Sequence, residues 1–526
     1  MTELSSLKHT ADGPELLVPR AYNAAFDLIE RNLRAGRGAK TAYIDDRGSY
    51  SYRELAARVN RAANALLALG LRQEERVMVL LHDTIDFPSV FLGAIKAGIV
   101  PIAANTLLTA RDYDFMLRDS RARALVIAEP LLPLVTPLLD ALPLLQRVVV
   151  AGAPHERWPA LDALMAAASD QFEPAPTTAD DACFWLYSSG STGMPKGTVH
   201  VHASPIQTAE LYARRTLGLR EDDLVFSAAK LFFAYGLGNA LSFPLAVGAT
   251  TLLMSERPTP AAVFQRLTQH RPTVFCGVPT LYAAMLAYPE KPTREQLALR
   301  ICTSAGEALP ADVGRRFAER YGADVLDGIG STEMLHIFLS NRPGEVRYGT
   351  TGKPVPGYRV RLVGDDGREV APGELGELQI AGPSSAQMYW NNRVRSRETF
   401  VGEWTRAGDK YSVDADGYFV YGGRSDDMLK VSGQYVSPFE VEAALSSHDV
   451  VLEAAVVGAE DNDGLTKPKA FVVLQAGTSG SDALAASLRA HVKSQLAPHK
   501  YPRWIEFVAE LPKTATGKIQ RFKLRQ

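Results

Sequence analysis

Cysteine is scarce: Cys183, Cys276 and Cys302 are the only three in 526 residues. Each sits in an apolar run (ACFWLY, TVFCGVP, RICTSAG), far from the others, with no CxxC and no paired spacing. Such a set excludes a disulfide framework or a zinc module and fits buried thiols in a reducing cytosol. Net charge is nearly absent as well, with 57 Lys and Arg against 59 Asp and Glu for a formal -2. Nucleic-acid binders and membrane-surface proteins carry a basic excess to neutralise phosphates, so neither partner is expected. Long apolar runs are missing too. The greasiest stretch, ALSFPLAVGA from residue 240, is cut by Pro244 and Gly248, and the N-terminus MTELSSLKHTADGPELLVPR has no secretion-signal core. The expectation is a cytoplasmic chain without a transmembrane helix; a homodimer is left open.

What is present suggests an α/β protein. At roughly 150 residues per domain the length implies about two to four domains and a core that needs no staples. Residues 52–70 (YRELAARVNRAANALLALG) place apolar side chains at three- and four-residue steps and stop at Gly70, predicting an amphipathic helix. VMVLL from 77 reads as a buried strand, FLGAIKAG as a further helix, and VVVA from 148 and 182–187 as strands. This alternation predicts parallel sheets covered by helices. The character changes after about residue 343. Dense turn signals over 355–425 (GDDGRE, APGELGE, DADGYF, GGRSDD) alternate with half-exposed strands such as RVRLV and ELQIA, predicting a β-rich subdomain. From Asp427, helix patterns (PFEVEAALSSH, DALAASLRAHVKSQL) mix with strands (EAAVVGA, AFVVLQ), predicting a small α+β lobe.

The densest chemical signal is YSSGSTGMPKG at 187–197, directly after the apolar run ACFWL. A Ser, Thr and Gly loop after a strand turns backbone N–H groups and hydroxyls toward one anion, and Lys196 adds a mobile charge. It is not a Walker A loop, which needs Lys directly after its second Gly, whereas here Pro195 precedes Lys196.

This stretch resembles the signature of the adenylate-forming superfamily, which includes acyl-CoA and aryl-CoA ligases, luciferase and the adenylation domains of peptide synthetases. Further motifs resemble that family in the same order: SAGEALP at 304–310, DGIGSTE at 327–333, TRAGDK at 405–410, GGRSDDMLKVSG at 422–433 and PKTATGKI at 512–519. The resemblance implies a composite N-terminal domain, residues 1–425, binding ATP and a carboxylic acid. It also implies a mobile C-terminal domain, 426–526, hinged at Asp426.

It further implies residue roles. Ser188, Ser189, Gly190, Ser191, Thr192, Gly193 and Lys196 would form the phosphate loop. Thr332 would hold a phosphate oxygen, and Glu333 would position Mg²⁺, a hard cation that takes oxygen ligands. Gly306, Glu307 and Ala308 would line one face of adenine, with Asp327, Gly328 and Ile329 on the other. Many members carry Tyr where Ile329 stands, so contact there is aliphatic. Asp409 would accept the ribose hydroxyls and Arg424 would support ribose or phosphate. Lys518 would bridge the carboxylate and the α-phosphate during adenylation, and after rotation Lys430, Ser432 and Gly433 would face the acyl group and the arm of CoA. HVH at 200–202 reads as a strand with two same-side histidines rather than a metal site.

The segment KLFFAYGLG at 230–238 aligns with the family's pocket-forming aromatic motif. Ala234 stands where peptide-synthetase members hold an ammonium with Asp, so an α-amino acid would bury an unpaired charge. Phe233, Ala234, Tyr235, Ala305, Gly306, Gly328, Gly330, His336 and Ile337 would enclose a flat ring, and this set resembles the benzoate-CoA ligases. Benzoate is the expected acid, with fluorobenzoates and 2-aminobenzoate tolerated. The alternatives are a short- or medium-chain acyl-CoA ligase and a stand-alone enzyme loading a carrier protein. The absence of an appended carrier segment after the lysine motif favours free CoA.

Overall fold

The computed structural model describes residues 2–10, 13–190, 193–424, 428–431, 434–461, 465–496, 500–513 and 519–525. The amphipathic stretch after residue 51 forms the helix Tyr52–Ala68. Ser51 accepts the Glu54 N–H while Glu54 reaches back to the Ser51 backbone, a capping box that satisfies two end donors. Gly70, at φ 92°, takes the left-handed conformation that ends the helix. The buried face carries Leu55, Val59, Ala62, Ala63 and Leu66. It packs on the helix Asp86–Lys96 at Gly93, where an added Cβ would lie 2.7 Å from Ala62 Cβ and 2.9 Å from the Val59 carbonyl oxygen. Only glycine permits that approach.

Two largely parallel sheets follow from the alternating pattern. The first runs in the order Met388–Tyr389, Gly193–Val201, Ala182–Gly190, Val100–Ala103, Arg76–Leu80, Ala124–Ala128, Arg147–Ala151. The second centres on the parallel strands Val325–Gly330, Ile301–Ser304, Val274–Gly277, Leu224–Ser227, Thr250–Leu252 and Thr41–Asp45. One buried apolar cluster extends from Tyr22 to Phe419 across both sheets. Cys183, Cys276 and Cys302 are buried and free, and burial pushes each thiol up.

The β-rich stretch forms a five-stranded sheet of Arg359–Val363, Gly376–Ala381, Trp404–Val413, Phe400–Val401 and Phe419–Arg424. One expectation changes here. The 377–381 strand is buried from Leu378 to Ala381 rather than alternating, because it lies between two strands and the Arg361 guanidinium covers its polar face, donating to Gln379 Oε1 at 2.8 and 3.0 Å.

After residue 428 come a hairpin (Leu429–Val431 with Gln434–Val436), the helices Pro438–Ser446 and Asp482–Gln495, and a three-stranded sheet of Val451–Glu460, Thr466–Leu474 and Trp504–Phe507. Their buried apolar residues form clusters of their own, Leu429 to Val492 and Ala455 to Leu511. Among the described residues no helix is long and apolar enough to cross a membrane.

Candidate active site

The phosphate-loop motif lies in the turn of an antiparallel hairpin, with Gly190 opposite Gly193 and Ser188 opposite Lys196. Ser188 is 9% exposed, and its Oγ is buried with no partner among the described residues. A hydroxyl buried without a partner costs free energy, so this one is suited to an incoming acceptor or donor. Lys196 Nζ lies 3.3 Å from Tyr389 Oη and 4.5 Å from that ring's centroid. Burial draws its ammonium pKa below the ordinary lysine value, partly offset by Glu333.

The Thr332–Glu333 turn leaves the end of the strand Val325–Gly330 and is tied from several sides. His200 Nε2 is 2.7 Å from the Thr332 carbonyl oxygen. A carbonyl only accepts, so Nε2 carries the proton. The Ala386 N–H donates to the Glu333 carbonyl at 2.7 Å, and the Tyr389 hydroxyl donates to Glu333 Oε1 at 2.6 Å. Burial and the Glu333 carboxylate together push the Tyr389 hydroxyl pKa up.

On the neighbouring strand ends, Ser304 pairs in register with Asp327. Asp327 is 6% exposed and its Oδ1 has no partner among the described residues. Burial pushes its carboxyl up against the pull of the Leu309 and Gly328 backbone N–H groups. Ala305 is buried, Glu307 and Ala308 are half-buried, and Gly306, at φ +96°, has open space where a Cβ would project. Burial, then the Asp409 carboxylate, pushes the Tyr411 hydroxyl pKa up, and that hydroxyl pairs with Thr351 Oγ1 at 3.2 Å, tying the third sheet to the segment that leads into the strand Lys353–Pro354 of the second. Asp409 lies opposite Arg424, with Oδ1 3.5 Å from Nη1.

The aromatic segment 230–238 follows the strand Leu224–Ser227 of the second sheet. Phe233 precedes the short helix Ala234–Leu237 and packs on Phe232 at 4.5 Å. Tyr235 Oη bonds Thr303 Oγ1 at 2.6 Å, and the Tyr235 carbonyl accepts from His336 Nε2 at 3.1 Å. His336 is 2% exposed, wedged among Tyr212, Tyr235 and Phe243, and burial lowers its pKa to about 3, keeping the imidazole neutral. The π-helical turn Gly238–Ser242 makes room for it: a Cβ on Gly238 would lie 2.3 Å from His336 Cδ2. Ile337 packs where a side chain at Gly328 would stand, 3.0 Å from that ideal Cβ, and Gly330 backs onto the His336 carbonyl. Ile329 is half-buried.

Ser188, the segment 304–308, Asp327 with the Thr332–Glu333 turn, and the turn before Phe233 lie at or just beyond the carboxyl ends of parallel strands, where open α/β sheets bind ligands, whereas Asp409 and Arg424 come from the antiparallel third sheet. Ser191, Thr192, Asp426, Ser432, Gly433 and Lys518 lie outside the described residues, and Ser189, Gly190, Gly193 and Lys430 are described by backbone alone. Sequence reasoning missed Tyr389. Its signal was the segment MYWNN, an aromatic pair before an Asn turn between two recognised motifs. Trp390, beside it, stacks on Trp185 at 4.5 Å and donates to the Asp119 carbonyl at 2.9 Å.

His200 and His202 each serve the backbone: His202 Nδ1 accepts the Ala24 N–H at 3.1 Å. Burial lowers the pKa of His202 to about 4. The unfolded imidazole takes a proton near 6.5, whereas the folded one resists until about 4, so this group costs stability as pH falls through that window. His202→Asn retains an acceptor and does not titrate. Thermal unfolding followed from pH 7 to 4 is expected to show a flatter loss of stability in this variant, by about one proton, roughly 1.4 kcal/mol per pH unit.

Comparison with known proteins agrees with the geometry. Residues 29–390 match the model of the AMP-binding enzyme family, and residues 440–518 that of the AMP-binding enzyme C-terminal domain. A benzoate–CoA ligase of Thauera aromatica is 66% identical over 100% of both chains. The crystal structure of a benzoate CoA ligase from Burkholderia xenovorans LB400 superposes with a TM-score of 0.91 at 56% identity, covering 96% of this chain and 100% of that one. The anthranilate CoA ligase AuaEII, solved with anthranoyl-AMP, gives 0.93 at 44% identity over 96% and 97%. The chain belongs to the AMP-binding enzyme family.

Proposed function

We propose that this chain is a cytoplasmic, ATP-dependent benzoate–CoA ligase. A carboxylate does not condense with a thiol at useful rates, because its oxygen is a poor leaving group. Attack of the carboxylate oxygen on the α-phosphorus of ATP forms a P–O bond and expels pyrophosphate, giving an acyl-adenylate. The CoA thiol then attacks the carbonyl and AMP leaves, yielding benzoyl-CoA. The observation that carries the choice of acid is the wall of Phe233, Ala234 and Tyr235 backed by a neutral, buried His336. Ala234 supplies no carboxylate for an ammonium and no amide for an ortho hydroxyl. An aromatic acid without charged substituents therefore loses least on entering.

For the phosphates, the unpartnered Ser188 Oγ and the half-buried Lys196 support the loop's role. Glu333 fits a Mg²⁺ ligand: its Oε1 is oriented by Tyr389, and an oxygen donor suits a hard cation. When bound, Mg²⁺ would neutralise charge on the ATP phosphates. Asp409 and Arg424 suit the ribose, with Gly306 to Ala308 and Asp327 to Ile329 flanking adenine. We assign residues 1–425 to binding ATP and the acid. The segment 426–526 would turn about Asp426 to exchange Lys518 for the face of Lys430, Ser432 and Gly433.

Pyrophosphate exchange over a panel of acids tests the substrate. Exchange is expected with benzoate and fluorobenzoates, and mass detection is expected to find benzoyl-CoA. Exchange only with aliphatic acids, or acyl transfer only to a carrier protein, would replace this function. Lys518→Ala is expected to abolish most adenylation, since a lost donor of this type costs about 3–4 kcal/mol, while sparing thioester formation from supplied benzoyl-adenylate. Equal loss in both half-reactions would remove Lys518 from its role. Tyr389→Phe deletes the hydroxyl that orients Glu333 and is expected to raise the Mg²⁺ requirement for ATP binding by about 10–100-fold, with binding followed by tryptophan fluorescence.

A further inference from the structure

Phe233 ends a tight turn whose backbone is held at almost every residue. The Ser227 hydroxyl donates to the Ala229 carbonyl at 2.9 Å, the Phe233 N–H to the Lys230 carbonyl at 3.0 Å, and Lys230 Nζ to the carbonyls of Met254 and Glu256. Gly236 closes the turn from the other side, since a Cβ there would lie 2.0 Å from the Lys230 carbonyl oxygen. The N–H of Leu231, a fully buried residue, points elsewhere. It donates to the carboxylate of Asp83, 3.3 Å from both Oδ1 and Oδ2.

Asp83 comes from a different sheet. It follows the strand Arg76–Leu80, whereas the turn follows Leu224–Ser227. Asp83 is 3% exposed, and burial lifts its carboxyl to about 6 against the pull of Lys230 and the Leu231 N–H. A carboxylate buried at such cost beside Lys230, and hydrogen-bonded to a backbone donor across a sheet junction, is a strut.

We propose that Asp83 is a positioning residue for the acid pocket, its carboxylate fixing the 230–233 turn and so the depth at which Phe233 meets the ring of the bound acid. The proposal rests on Phe233 forming the pocket wall. It adds a specificity determinant outside the aromatic motif, in the loop HDTID.

The test compares Asp83→Ala, Asp83→Asn and Asp83→Glu with the wild type. The KM for benzoate is read by pyrophosphate exchange, and the ATP dissociation constant by tryptophan fluorescence. Loss of the acceptor leaves a buried N–H unpaired, so D83A is expected to raise the benzoate KM about tenfold or more with ATP binding unchanged. D83N keeps an oxygen acceptor and is expected to stay within about threefold of wild type, a rescue that a merely structural role would not require. A wild-type KM in D83A, an equal change in ATP binding, or D83N as impaired as D83A would each overturn the proposal. Should D83A fail to fold, D83E decides. Its extra methylene displaces the turn and is expected to shift the ratio of kcat/KM for benzoate over 4-methylbenzoate by about threefold or more; an unchanged ratio overturns the proposal. If the wild type activates some other acid of the panel, the pocket assignment has failed, and the same comparison on that acid still judges Asp83.

Discussion

One buried hydrogen bond, from the His200 imidazole to the Thr332 carbonyl at 2.7 Å, sets the distance on which the site depends. It joins the strand Gly193–Val201, which carries Lys196, to the turn that carries Glu333, and these belong to different sheets. The net worth of such a bond is about 0.5–1.5 kcal/mol, but breaking it would leave a polar group buried and unpaired at about 1–3 kcal/mol. Its value is geometric. Phe184 stacks on the imidazole at 5.4 Å, and burial lowers its pKa to about 4, so near neutrality it remains an uncharged donor of fixed tautomer.

The same logic recurs wherever the two sheets meet. Asp83 reaches from the first sheet to the turn of the second, Tyr389 from the first to Glu333, and Tyr411 from the third to Thr351. Each is a polar side chain that crosses between elements and ends on backbone, on a carboxylate or on a hydroxyl. Apolar packing across the seam is continuous, since one cluster extends through both sheets, but it is not directional. Polar struts supply direction, and the cost of leaving any of them unsatisfied selects one relative placement of the strand ends.

Much of the fold was legible because it is local. The helix after Ser51 announces itself by apolar spacing, a capping box and a terminating glycine, and the parallel strands by short apolar runs. Membership of the AMP-binding enzyme family was legible through resemblance, from ordered motifs that include Ser188, Asp327, Glu333 and Asp409. What could not be read was whatever depends on partners far apart in sequence. The loop after Ala182–Gly190 leads into an antiparallel strand, not into the helix N-terminus that phosphate loops often use. Gln379 is buried where Arg361 from a neighbouring strand meets it, and Leu378 and Ile380 are buried because they join the large core. Tyr389 and Asp83 sit in segments that look unremarkable alone and gain meaning only from Glu333 and Leu231. Global neutrality concealed the local charge as well, because Lys196 and Arg424 are cations near separate carboxylates.

The division of labour in the proposed reaction follows from where rigidity is placed. Discrimination among acids requires a wall that does not give way, because a methyl group is worth only about 1–3 kcal/mol and a wall that yields forfeits part of that. The aromatic motif lies within the continuous core and is braced by Thr303, His336 and Asp83. The residues after 428 bury their apolar side chains in small clusters of their own, so moving them as a unit need not disturb that core. On the proposed reading, a reaction with two transition states then needs no second pocket. The acid and the nucleotide would stay where the struts hold them, and only the group that faces them would be exchanged.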